Sequence, residues 1–336
     1  MRLGIDATSV APEGKGISRV QRRTVEALRE LGRHELVVFA RYPEELEGAL
    51  PVQAGRALAW EQRGLPRAVR EHRLDAMLTW TERLPIVGRG RYLVWLFEPP
   101  THRIRQNRIA GAGTYQRASD AVTLGLWKRS LRRAALVFTG SQATADAIPI
   151  AARVLYPGLD REFVPGSDRD GRYVFHIASA DPRDDHDTAL AAFELARREV
   201  SDLRLLVAGG MRRSGGNGIE YLGRVPDDEL VRLYQGAAAY LDTSLYEGFG
   251  FQVLEAMGCG APVVATTATS IPEIAGDAAL LCPPAAPGAL GDMLARVLAD
   301  ERLASRLRER GLARAREFTW ERTARMLADA VDEVAG

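Results

Sequence analysis

Glu247 and Glu255, separated by seven residues, bracket a glycine turn, Gly248-Phe249-Gly250, and these residues carry the clearest chemistry in the chain. The turn runs into an apolar stretch at 252–257 that reads as a helix, so backbone amides at its N-terminus can face an anion such as a diphosphate. A carboxylate can accept two hydrogen bonds from a diol. With Glu247 before the turn and Glu255 inside the helix, the two acids can address two ends of one ligand. The plainer reading is a strand, a turn and a helix whose two acids are solvated.

The elements that must position such a turn are legible as alternation. Short β-rich runs at 3–5, 36–40, 76–79, 92–96, 136–139 and 153–156 are interleaved with helical stretches, the pattern of a parallel sheet covered on both faces. The helix at 17–31 has apolar residues at Ile17, Val20, Val25, Leu28 and Leu31. A second half repeats the plan, with strands at 173–177, 203–208, 240–242, 262–265 and 280–282 and helices near 188–198, 228–235, 252–257 and 288–298. Proline, glycine and acids concentrate at 156–171, as in a linker. The fold class expected is α/β, two doubly wound domains in series that face an interdomain cleft. The domains run over 1–157 and 158–316, with a last segment at 317–336.

Composition limits the function classes. A length of 336 residues exceeds what one core usually supports, and 46% hydrophobic with 26% charged residues fits a soluble globular chain. No apolar run approaches the roughly 20 residues of a membrane span, and the N-terminus turns acidic too early for a signal peptide, so a cytoplasmic protein is expected. Cys259 and Cys282 lack metal-ligand spacing and read as buried small hydrophobes. A net charge of +1 gives no reason to expect nucleic acid as a partner. Within 101–133, however, Arg103, Arg105, Arg108, Arg117, Lys128, Arg129, Arg132 and Arg133 oppose a single acid, Asp120. That stretch reads as a solvated helical surface, as the site of an acceptor carrying phosphate or carboxylate, or as peripheral contact with the anionic inner face of a membrane.

The chain resembles the retaining glycosyltransferases of family GT4, and in particular their mannosyltransferase-like members. Glu247 and Glu255 match the family's glutamate pair, residues 222–234 and 272–283 look like the stretches before and after it, and 154–160 resembles the linker strand. Residues 318–324 resemble the start of a last helix that crosses back onto the first domain, and Ile5, Asp6 and Ala7, followed by Gly16 to Arg19, resemble a first-domain loop. The resemblance implies the GT-B fold of two Rossmann-like domains. It implies transfer of a sugar from a nucleotide diphosphate sugar to a hydroxyl of a glycan, lipid-linked or small-molecule acceptor, without a cofactor or a metal. It further implies that Glu247 contacts the donor sugar, that Glu255 binds the ribose, and that Gly248, Phe249, Gly250 and Phe251 hold the sugar or diphosphate. Gly16 would approach the diphosphate or the acceptor, with Arg19 nearby.

The departures from the family pattern concern the leaving group. The positions of its usual arginine and lysine are occupied by Ser179 and Asp184, which leaves Arg183 as the local cation and Arg19 as a second candidate. The family's first-domain histidine falls on Phe97, with Glu98 and His102 as substitutes on the acceptor side. The expected catalytic set is therefore Glu247, Arg183 and Arg19. The alternative is a GT-B-like binding or regulatory partner that has lost turnover. A metal site at Asp184, Asp185, His186 and Asp187 is disfavoured, because acids also suit a helix start. The Gly14-Lys15-Gly16 run lacks the third glycine of a dinucleotide fingerprint, Arg19 standing in its place. A paired-carboxylate hydrolase fits less well than a nucleotide donor beside a phosphate-type turn.

Overall fold

The computed structural model describes residues 1–12, 14–52, 57–102, 104, 113–166, 171–211 and 213–336. The chain divides into two compact units, Met1–Gly158 with Thr319–Gly336, and Leu159–Phe318.

In the first unit, strands β1 (Arg2–Asp6), β2 (Glu35–Ala40), β3 (Leu50–Pro51), β4 (Ala76–Thr79), β5 (Tyr92–Leu96), β6 (Leu136–Thr139) and β7 (Arg153–Val154) form one sheet in the order β3-β2-β1-β4-β5-β6-β7. The strand pairs are parallel. Strands covered on both faces are apolar throughout: β4 and β5 are buried along their whole length. The helix Ile17–Leu31 packs Val20, Val25 and Leu28 inward. It ends at Gly32, whose left-handed backbone (φ 63°) lets its N–H bond to Leu28 O at 3.1 Å. The C-terminal helix Trp320–Ala335, capped by the Thr319 side chain on the Arg322 N–H, belongs to this unit and rests on the helix Ile17–Leu31.

The second unit has β8 (Tyr173–Ile177), β9 (Arg204–Ala208), β10 (Ile219–Gly223), β11 (Ala239–Leu241), β12 (Val263–Thr266) and β13 (Ala279–Cys282), in the order β10-β9-β8-β11-β12-β13 and again parallel. The helices His186–Ala196 and Pro287–Ala299 cover its core, built on Val174, Phe193, Leu205, Leu241, Leu290 and Leu294. Cys259 and Cys282 are buried and free. The order of strands reverses between β1 and β4 in the first sheet and between β8 and β11 in the second. In open α/β sheets these switch points are where ligands bind, beyond the carboxyl ends of the strands.

Two strands escape the alternation rule, β3 and β10, both at sheet edges. The first is two residues long, and the second follows Gly215, Gly216 and Gly218 and is only half-buried, so neither carries a buried apolar run. Of the basic stretch, Arg103, Arg105 and Arg108 lie outside the described residues, as do residues 167–170 of the linker. Arg117, Lys128, Arg129 and Arg132 are exposed on or just after the helix Thr114–Leu131, while Asp120 is buried. Among the described residues no helix is long and apolar enough to cross a membrane.

Candidate functional site

The switch point of the second sheet gathers the polar groups. Ser179 follows β8, and its backbone N–H and Oγ both donate to Asp184 Oδ2 at 2.6 Å. Asp184 sits in the short turn Pro182–Asp184, which Asp181 caps by accepting the Arg183 N–H at 3.0 Å. The Arg183 guanidinium is held by the same Asp181 carboxylate, through Nε at 3.0 Å and Nη2 at 2.8 Å. The segment after β11 is tied to this turn. Thr243 Oγ1 donates to Asp184 O at 2.7 Å and Asp185 O at 3.1 Å, and the Leu245 N–H donates to Arg183 O at 2.7 Å.

Glu247 arrives on that segment. Ser244 Oγ donates to its Oε1 at 3.4 Å, and the Ser244 N–H donates to buried Asp242 at 3.0 Å. The Glu247 backbone is clamped on both sides. Its N–H donates to Thr269 Oγ1 at 2.9 Å, and its carbonyl accepts from the Thr269 hydroxyl and from Ser270 Oγ at 2.9 Å. Thr269 adopts φ 37°, a left-handed conformation costly for a β-branched residue, so the loop holds strain where it grips Glu247.

The electrostatics are acidic. Glu247 stays partly exposed as a residue, but desolvation of its carboxyl group, then the Asp242 and Asp184 carboxylates, push its pKa up to about 8 against a smaller opposing pull from Arg183. Burial also raises Asp242. Beside them His176 and His186 stack with ring centroids 5.3 Å apart and planes 9° from parallel. Burial lowers both, His186 to about 4, so at neutral pH neither ring adds positive charge to the site.

The glycine turn follows Glu247. Gly250 takes φ 98° at the N-cap of the helix Phe251–Gly258, a conformation glycine adopts without strain, and it offers no side chain to cap the helix amides. The Phe249 side chain is 2% exposed and packs on Phe251 and Phe318, which leaves its backbone as the part a ligand can meet. Glu255 is 4% exposed and accepts the Tyr234 hydroxyl at 3.1 Å. That phenol is held well above the usual tyrosine range, by burial first and by the Glu255 charge second.

The second unit thus brings Ser179, Arg183 and Glu247 together at one sheet end, with the 248–251 turn next in sequence and Glu255 on the helix behind it. Gly16, Arg19, Glu98 and His102 belong to the first unit. Gly16 has φ 59° before the helix Ile17–Leu31, with open space where a Cβ would stand, and Arg19 lies in that helix's first turn. Glu98 and His102 follow β5, both partly buried. Sequence reasoning missed Asp242, Tyr234, Thr269 and Ser270. An aspartate directly after an apolar strand was a readable sign of a sheet-end site, whereas the run 266–270 reads as loop chemistry alone.

Two doubly wound units of this kind define the GT-B class of α/β proteins. The structure of Anabaena Alr3699/HepE in complex with UDP-glucose superposes with a TM-score of 0.75 over 99% of this chain and 100% of that one, at 17% identity. Residues 160–314 match the model of the glycosyl transferases group 1. The MMP alpha-(1->4)-mannosyltransferase of Mycolicibacterium hassiacum is 31% identical over 277 residues, 74% of this chain and 67% of that protein. The chain belongs to the group 1 glycosyl transferases, the family GT4. O-antigen chain mannosyltransferase B of Escherichia coli is 35% identical over 199 residues, 55% of this chain, and the match spans about half, 51%, of that relative. These relatives are named for transfer, which does not favour a partner without turnover.

Proposed function

We propose that this protein moves a glycosyl unit from a nucleotide diphosphate sugar to an acceptor hydroxyl with retention at the anomeric carbon, without a metal. The observation that carries the reading is Glu247, clamped at the switch point of the second sheet immediately before a glycine turn and a helix N-terminus. A carboxyl group there orients sugar hydroxyls, and the backbone amides of the 248–251 turn and helix start meet the diphosphate. Glu255 holds the ribose hydroxyls. In the reaction the bond from the anomeric carbon to the diphosphate oxygen breaks and the bond to the acceptor oxygen forms on the same face. The acceptor proton passes to the departing phosphate, and the nucleoside diphosphate leaves.

Arg183 and the turn amides supply the electrostatic stabilisation of the leaving group in this reading, with Arg19 and Gly16 also assigned to the diphosphate and Glu98 and His102 to the acceptor. The support for a nucleotide sugar is the family itself, together with the UDP-glucose bound by the HepE neighbour. A cytoplasmic location, and contact of the helix Thr114–Leu131 with anionic membrane, belong to the same proposal. Binding to anionic vesicles at low salt tests the latter.

The deciding experiment is thermal unfolding with UDP, GDP, ADP, CDP and dTDP without added metal, followed by donor consumption with the matching sugar nucleotide. Ligand at about a hundredfold its dissociation constant stabilises the binding unit by roughly 2.7 kcal/mol. A shift with one nucleotide that Glu255→Ala abolishes supports the reading, and no shift with any of them refutes it. Activity lost with EDTA and restored by magnesium would refute the metal-independent part.

A further inference from the structure

The first sheet carries its own crevice at its switch point, between the carboxyl ends of β1 and β4. It is a cavity of about 480 Å³, a size suited to a small ligand, lined among others by Asp6, Trp60, Glu61, Trp80, Glu82 and Arg83. Among the described residues its lining includes neither Glu98 nor His102, the acceptor-side expectations from the sequence, nor Gly16 or Arg19.

Its walls are built rather than incidental. Asp6 at the end of β1 accepts Trp60 Nε1 at 3.0 Å, Thr8 Oγ1 at 2.7 Å and Thr79 Oγ1 at 2.8 Å, so it is spent on orienting the indole and joining β1 to β4. Trp60 and Glu61 open a π-helical turn, Trp60–Gly64, a rare form found often at functional sites. A Cβ at Gly64 would run into the Trp60 ring. Glu61 is 7% exposed, and its Oε1 accepts Arg83 Nη2 at 2.7 Å and Thr81 Oγ1 at 3.0 Å. Among the described residues Glu61 Oε2 and Trp80 Nε1 are both buried without a hydrogen-bond partner, an uncommon condition for such groups, and both belong to residues of the wall. Trp80 is backed by Trp95, ring centroids 6.2 Å apart.

Aromatic faces beside carboxylates suit a sugar ring, whose C–H faces pack on indoles and whose hydroxyls donate to carboxylates. Among the described residues the charge balance of the wall does not favour an anion: Asp6, Glu61 and Glu82 stand against Arg41 and Arg83, and Arg83 is committed to Glu61. We propose that this cavity is an acceptor subsite additional to Glu98 and His102 and takes an uncharged, hydroxyl-rich sugar ring, with Trp60, Trp80 and Glu61 as its specificity-determining residues. The proposal rests on the glycosyl-transfer reading and names the acceptor class for it. It runs against the phosphate- or carboxylate-bearing acceptor that the basic stretch of the sequence invites.

The test is saturation-transfer NMR on the full chain at millimolar ligand, with methyl α-D-mannopyranoside, mannose 6-phosphate and glucosamine as probes. The expected result is transfer to the neutral mannoside, at least about tenfold weaker binding of the phosphate, and loss of the mannoside signal in Trp80→Ala and Glu61→Gln. Each variant must keep the nucleotide-dependent unfolding shift of the second unit, which shows that it has folded. Equal or tighter binding of mannose 6-phosphate or of glucosamine overturns the proposal, as does mannoside binding untouched by both substitutions. Absence of sugar binding in a protein that still responds to a nucleotide also overturns it. Mannoside binding with the expected variant losses in a protein that answers to no nucleotide supports the subsite and refutes the donor reading instead.

Discussion

Ser179 and Asp184 are bonded to each other: the backbone amide and the hydroxyl of Ser179 both donate to one oxygen of Asp184, at 2.6 Å each. In the resemblance to GT4 these two positions align with the family's arginine and lysine. The lock between serine and aspartate commits the strand-end amide and the Ser179 hydroxyl to the Asp184 carboxylate. Desolvation first, and then the Asp242 and Asp184 carboxylates, raise Glu247.

Replacing Asp184 by Asn keeps an acceptor for Ser179 but removes one of the carboxylates that raise Glu247. The acid limb of the pH profile of donor binding should move to lower pH, on the order of one unit. An unmoved profile would mean that Asp184 and Glu247 are not electrostatically coupled.

Glu247 itself makes stability depend on pH. Its folded pKa, about 8, lies above the ordinary glutamate value of 4.5. The unfolded chain therefore loses its proton first, and stability present below about pH 4.5 drains away as pH rises to 8. Relative to Glu247→Gln, the wild-type melting temperature should fall steadily across that window; parallel curves from pH 4.5 to 8 would contradict the raised pKa. The same substitution, and Glu247→Ala more severely, should depress sugar transfer, and full transfer by Glu247→Ala would remove Glu247 from the site.

Thr269 reports on the clamp. Thr269→Ala removes hydrogen bonds to both backbone groups of Glu247, a loss of about 1–2 kcal/mol, and should lower transfer roughly tenfold. Thr269→Ser retains the hydroxyl and should recover most of the rate. If serine fares no better than alanine, the clamp is not what matters at 269.

Tyr234→Phe takes from buried Glu255 the phenol that it accepts at 3.1 Å. The expected cost is about 1–3 kcal/mol in unfolding free energy, together with weaker binding of ribonucleoside diphosphates. Loss of stability with unchanged nucleotide affinity would assign Glu255 to the core rather than to the ribose.

Much of this molecule is legible along the chain because its strands are central and its turn is local. β4, β5, β8 and β12 read directly as apolar runs, since both faces of a parallel sheet are covered, and the helix after Gly250 follows from the glycine that starts it. The edge strands β3 and β10 carry no such pattern. The residues that grip Glu247 are harder still: Thr269 and Ser270 lie more than twenty residues downstream, and nothing local marks them as partners. Trp60, Glu61 and Trp80 were equally silent, because a π-helical turn and a loop after β4 meet only when the sheet forms.

The sequence by itself carried the motifs that resemble the family, and it determined the two doubly wound units and the spacing of the glutamates at 247 and 255, because units and spacing depend on periodicity and on residue types close along the chain. Tertiary structure alone decided which groups surround those glutamates, that Ser179 answers to Asp184, and that burial and neighbouring carboxylates push the Glu247 carboxyl up. Charge, desolvation and hydrogen bonding act over distances of a few ångströms in space, and the residues that come within that range at a sheet end are drawn from loops dozens of positions apart in the chain.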